Sequence, residues 1–138
     1  MIIVVGSNPS QKSIDRTAFS TSTRSGRLIR EWFYSFEDVY FINVSDDPTP
    51  NNRPLKSSEI NANLDSLRDK LKGADRIVAV GSTAQKACEK LGVKFFHMFH
   101  PSLRCRKHND PNYVITKTIE LKQFLIMEPS CQQLSELL

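Results

Sequence analysis

Four short stretches of the chain concentrate side chains that could do chemistry. Gly6-Ser7-Asn8-Pro9-Ser10 directly follows a run of apolar residues. An asparagine amide can hold a water through its oxygen but does not ionise usefully, so Asn8 suits water positioning and not proton abstraction. His100 opens His100-Pro101-Ser102-Leu103, which leads into Arg104, Arg106, Lys107 and His108, the densest basic cluster in the chain. An imidazole N–H can stabilise developing oxyanion charge, and clustered cations suit a polyanion, although such a run is commonly a solvated face. Asn43 closes an apolar run and offers both an acceptor and donors in one amide. Ser82 and Thr83 follow Gly81 and open a helix, where free N–H groups and the helix dipole favour anions. Ser82 also reads as a simple N-cap.

These stretches need elements to hold them. Residues 2–5 are a continuous β-branched run, the pattern of a strand buried on both faces. Further strands are expected at 39–44, 76–80 and 94–99. Between them lie helical patterns. Leu28, Ile29, Trp32, Phe33 and Phe36 mark a helix over 25–36, and Ile60, Leu64, Leu67 and Leu71 mark one over 58–71 that stops at Gly73. A short helix over 83–91 ends at Gly92, a candidate left-handed cap, and a last one covers 113–127, before Pro129. Strand and helix alternate throughout, which predicts a three-layer α/β/α fold with a central four-stranded parallel sheet and right-handed crossovers. In such sheets the working site lies beyond the carboxyl ends of the strands. Those ends are 6–10, 43–47, 81–83 and 100–102, the same four stretches.

The bulk properties set limits. The 138 residues suit a single domain, 1–138, with one real core. Apolar content of 39% and charged content of 25% are ordinary for a globular protein. No segment approaches the roughly 18 to 20 apolar residues of a membrane span, and Met1 to Val5 lack the basic start of a signal peptide. A cytoplasmic protein, nucleoid-associated or nuclear according to source, is expected. The three cysteines, Cys88, Cys105 and Cys131, are widely spaced with no CxxC pair, which argues against a disulfide framework or a four-cysteine metal site. A net charge of +4 permits a polyanionic partner without demanding one.

Over roughly residues 1 to 126 the chain resembles the uracil-DNA glycosylase superfamily. GSNPS at 6–10 is similar to the GxNPG motif of the mismatch-specific and single-strand-selective branches, and HPSLR at 100–104 to the HPS-containing second motif. VYFINVSDDPTPNNRPLKSSEI and ADRIVAVGSTAQKACEKLG resemble the iron–sulfur branch in order and in the PNNR element. Each motif alone is weak. Four in the right order, each at a strand end, are fairly specific.

The resemblance implies a monofunctional enzyme that hydrolyses the N-glycosidic bond of uracil, or a related deaminated or modified base, flipped out of DNA. It implies a dissociative reaction in which Asn8 positions the water and His100 stabilises the departing base. Gly6 and Ser7 would border the base. Asn43 would pair with O4 and N3 of uracil, and Phe19 would stack on the ring. Ser10, Arg24, Ser82, Thr83 and Ser102 would meet phosphates. Leu103 would act as a wedge, with Arg104, Arg106 and Lys107 on the DNA backbone. A monomer needing neither metal nor other cofactor is expected, with DNA as partner and no membrane. Plainer roles stand beside these: an Asx-type turn for Asn8, a turn for Asn43, core packing for Phe19 and Trp32, and a structural place for His97. Asp15 is the nearest acid downstream of the first motif.

The chain also departs from its relatives. Its cysteines match none of the iron–sulfur positions, Ser7 replaces that branch's acid, and the first strand begins at once. An inactive glycosylase-like module that binds nucleotide, nucleic acid or a protein is therefore the alternative. A glycosidase acting on free nucleosides or nucleotides is a third reading, against which the basic 104–108 loop argues.

Overall fold

The structure, a computed structural model, describes residues 1–11, 13–101 and 110–126. Four strands, β1 (Ile2–Gly6), β2 (Val39–Asn43), β3 (Arg76–Val80) and β4 (Phe96–Met98), form one parallel sheet in the order β2-β1-β3-β4. Ile2–Gly6 pairs in register with Val39–Asn43 on one side, and Ile2–Val5 with Arg76–Ala79 on the other. The helices are α1 (Arg24–Trp32), α2 (Ser57–Ala62), α3 (Leu64–Lys70), α4 (Ser82–Leu91) and α5 (Pro111–Ile126). No described helix is long and apolar enough to cross a membrane.

Side-chain alternation along the strands builds two cores. Ile3, Val5, Ile77 and Ala79 point to the face covered by α2, α3 and α4, where Ile60, Leu67, Ala84, Ala87 and Cys88 meet them. Val4, Val78, Val80 and Met98 point to the opposite face, against Ile29 of α1, Phe33 at its C-terminal cap and Leu121 of α5. This is the expected three-layer arrangement. The continuous apolar runs of β1 and β3 follow from it, since neither face meets water. From β1 the chain steps one way to β2, then reverses past β1 to β3. A crossover that keeps its hand must change faces when the direction reverses, which is why α1 and α2–α3 lie on opposite sides. Buried Cys88 has its thiol pushed up to about 12, chiefly by desolvation.

Three elements differ most from the sequence pattern. The helix expected over 25–36 stops at Trp32, where the Phe33 N–H turns to the Arg30 carbonyl at 3.2 Å. The helix expected over 58–71 is broken into α2 and α3 at Asn63 (φ −102°, ψ −1°). Its side-chain amide donates to the Glu59 carbonyl at 2.7 Å, and its N–H bonds to the Ile60 carbonyl. That local alternative competes with the helical ladder, while the apolar positions continue across the break. The fourth strand is shorter than 94–99: pairing with β3 starts at Phe96, and at the other end Phe99 leaves the ladder and donates its N–H to the Tyr113 hydroxyl at 3.0 Å. Gly92 takes the expected left-handed cap, with φ 72°.

The docking of α1 depends on one glycine. Thr23 caps the helix by accepting from the Gly26 N–H at 3.1 Å. A Cβ on Gly26 would lie 2.0 Å from the Ser20 carbonyl oxygen and 2.7 Å from the Phe19 carbonyl carbon. Backbone atoms cannot swing aside, so α1 reaches the 19–20 segment only without a side chain there. Gly26→Ala is expected to cost about 3 kcal/mol or more in urea unfolding, where an exposed helix position would gain from the same change. An unchanged or raised midpoint would contradict this packing.

Candidate base-binding cleft

The pairing of β1 with β2 continues beyond the strands. Val44 N–H donates to the Gly6 carbonyl at 2.9 Å, and Ser45 N–H to the Ser7 carbonyl at 3.0 Å. The first two loops therefore leave the sheet side by side. Gly6 pairs with Asn43, and a Cβ on Gly6 would lie 2.7 Å from Asn43 Oδ1 and 2.8 Å from Phe19 Cζ. Gly6 thus lets an amide and an aromatic ring converge on its own backbone. Gly6, Ser7, Asn8, Ser10, Phe19, Arg24, Asn43, Ser82, Thr83 and His100 all line one cleft of about 690 Å³ at the carboxyl end of the sheet.

Asn43 is only 5% exposed. Its carbonyl accepts from Lys70 Nζ at 3.4 Å, but its side-chain amide has no protein partner among the described residues. The amide atoms keep a narrow contact with solvent at the cleft, where an entering group could pair with them.

Phe19 has a left-handed backbone, φ 50°, a strain of order 1–3 kcal/mol. Arg30 of α1 offsets it. Its Nε donates to the Phe19 carbonyl at 2.6 Å and its Nη2 to the Ala18 carbonyl at 3.0 Å. Two bonds from a charged donor contribute roughly 1.5–3 kcal/mol each, enough to hold the conformation. The guanidinium carbon sits 4.4 Å from the centre of the Phe41 ring, on which Phe19 packs edge-on at 5.8 Å. Phe19 is thus core and cleft wall at once.

Asn8 is oriented from the second loop. Its Nδ2 donates to the Asp47 carbonyl at 3.2 Å and approaches Thr49 Oγ1 at 3.5 Å. A carbonyl can only accept, so the atom facing it is the nitrogen. The Asn8 oxygen accepts a hydrogen bond from the Ser7 hydroxyl at 3.0 Å and keeps its other lone pair. Thr49 is 4% exposed and donates to the Arg53 carbonyl at 2.6 Å. Sequence reasoning missed Thr49, Asn52 and Arg53; the PNNR element was visible, but its link to Asn8 spans about forty residues.

Ser82 is the first residue of α4, not its cap. Gly81 is the N-cap, with φ 91° and no side-chain cap hydrogen bond. Nearby, a Cβ on Gly81 would sit 3.4 Å from His100 Cβ. His97 stays outside the cleft lining. Burial, then the charge of Lys117, depresses its pKa, and its Nε2 is buried without a partner among the described residues. Asp15 folds onto its own loop, accepting from Thr17 N–H at 3.1 Å and Thr17 Oγ1 at 2.9 Å, and does not line the cleft. Ser102, Leu103, Arg104, Arg106 and Lys107 lie outside the described residues.

An open parallel sheet with a cleft at its switch point is the place where α/β proteins bind their ligands. The uracil DNA glycosylase superfamily model matches residues 1–122, and the chain belongs to that superfamily. No curated protein matches it in a sequence comparison.

The turn beside Asn8 is tied by a bidentate pair, Arg53 Nη1 and Nη2 to Glu59 at 2.6 and 3.2 Å. That guanidinium, with the Lys56 N–H, holds the Glu59 carboxyl at about 2, below its ordinary 4.5. A depressed carboxyl stabilises the fold above its unfolded pKa, and that contribution fades as pH falls from 4.5 toward 2. A carboxyl NMR titration should find the Glu59 midpoint near 2 in the native chain and clearly higher in Arg53→Gln, though below 4.5 because the Lys56 N–H still donates to it. Equal midpoints would contradict the pair.

Proposed function

We propose that this protein is a DNA glycosylase that hydrolyses the N-glycosidic bond of uracil, or a closely related deaminated base, after the nucleotide leaves the DNA stack. The observation that carries the reading is the Asn43 side-chain amide, without a protein partner among the described residues, opening onto a cleft beside Phe19.

In this reading the base enters between Phe19 and Gly6. Stacking on the ring contributes roughly 1–3 kcal/mol. The Asn43 amide donates to O4 and accepts from N3–H of uracil, a pattern that cytosine, with an N4 donor and an N3 acceptor, meets only if the amide turns over. As the glycosidic bond breaks, negative charge builds on the base and positive charge on the sugar. His100 donates an N–H to the base carbonyl that takes up this charge. The Asn8 oxygen, aimed by Ser7, Asp47 and Thr49, holds the water that then attacks the sugar carbon. Its amide supplies position and not basicity, which suits a reaction whose bond breaks before the water adds. Arg24 and the amino end of α4, with Ser82 and Thr83, lie on the cleft where flanking phosphates would pass.

The test is a base-excision panel on single- and double-stranded oligonucleotides containing uracil, hypoxanthine, xanthine or hydroxymethyluracil. Alkali-labile sites are expected with uracil, and Asn8→Ala and His100→Ala are each expected to lower the rate about 10² to 10³-fold. Asn8→Asp is expected not to restore the rate, because a carboxylate would face the Asp47 carbonyl without a proton to give. Intact strands across the panel, with tight DNA binding retained, would instead favour a non-cutting module.

A further inference from the structure

The turn after β2 holds another asparagine, which the roles above leave unused. Asn51 and Asn52 both take left-handed backbone, with φ 54° and 55°. Two consecutive non-glycine residues in that region carry strain, which persists where the surroundings enforce it. Here part of the enforcement is visible. Gln11 N–H donates to Asn52 Oδ1 at 2.8 Å, and Asn52 N–H returns to the Thr49 carbonyl at 3.1 Å. A backbone N–H can only donate, so the side-chain atom facing Gln11 is the oxygen and the NH2 group is turned away. That NH2 has no protein partner among the described residues. Asn52 is exposed and lines the same cleft as Asn43.

We propose that Asn52 is a further substrate contact, donating its NH2 to a backbone phosphate oxygen of the bound DNA strand. The identity of the strand rests on the glycosylase reading above. Depth distinguishes the two asparagines. Asn43 is buried at the level of the base, whereas Asn52 stands at the rim, where the sugar–phosphate chain stays in solvent. The neighbouring Arg53 is committed to Glu59, so the rim donor is neutral. A neutral donor adds a positioned hydrogen bond without releasing a counterion.

Asn52→Asp separates this role from a structural one. The carboxylate still accepts from Gln11 N–H, so the loop clamp survives, but the second oxygen repels a phosphate. The readout is fluorescence anisotropy with a labelled oligonucleotide carrying a non-cleavable 2′-fluorinated uracil nucleotide, alongside undamaged DNA, with thermal melting of each variant. Asn52→Asp is expected to raise Kd about tenfold or more on both DNAs at unchanged melting temperature. A Kd within twofold of the native chain would overturn the proposal. Binding needs no turnover, so weakened binding by Asn52→Asp upholds the contact even if the excision panel shows no cutting.

Discussion

The cleft depends on the parallel pairing of β1 with β2, which runs on past the last strand residues. Because Val44 bonds to Gly6 and Ser45 to Ser7, the two loops cannot diverge as they leave the sheet. That places a glycine opposite an asparagine, and only a glycine leaves room there for the Asn43 amide and the Phe19 ring. From the same pairing, the second loop comes within reach of Asn8 and fixes which amide atom faces the cleft. The Gly6–Asn43–Phe19 wall and the orientation of Asn8 are therefore set by one ladder.

The remaining walls carry strain or unmet hydrogen bonds, each held by a neighbouring element. Phe19 keeps a left-handed backbone because Arg30 grips its carbonyl, and Arg30 can do so because Gly26 lets α1 approach. The Asn51–Asn52 turn is tied to the first loop through Gln11 and sits beside the Arg53–Glu59 pair. Asn43 leaves its amide without a protein partner among the described residues, where it opens onto the cleft. Such local costs are tolerated at sites that bind something and are otherwise removed by simpler residues.

Much of this was legible in the sequence. Burial on both faces turns a strand into an unbroken apolar run, so β1 and β3 were readable, and their loops followed from where the runs stop. Gly6, Asn43 and His100 stood out as strand-end residues. Other features could not be read locally. The break at Asn63 hides inside an apolar pattern that continues across it. Gly26 looks like a weak helix residue until the Ser20 carbonyl is placed beside it. Thr49 and Asn52 matter through bonds to Asn8 and Gln11 about forty residues away, and no local periodicity carries such contacts. Ser82 has the residue type of a cap, yet the φ 91° of Gly81 gives that place to the glycine.

The central claim is that the Asn43 amide, unpaired in the free protein, reads the base. Side-chain amide NMR tests it directly, by titrating the protein with free uracil and with N3-methyluracil. Uracil should shift the Asn43 side-chain NH2 resonances and broaden the Phe19 ring signals, and the N3-methyl compound should leave both unchanged. Uracil-induced shifts confined to residues outside the cleft, with the Asn43 amide unmoved, would contradict the account.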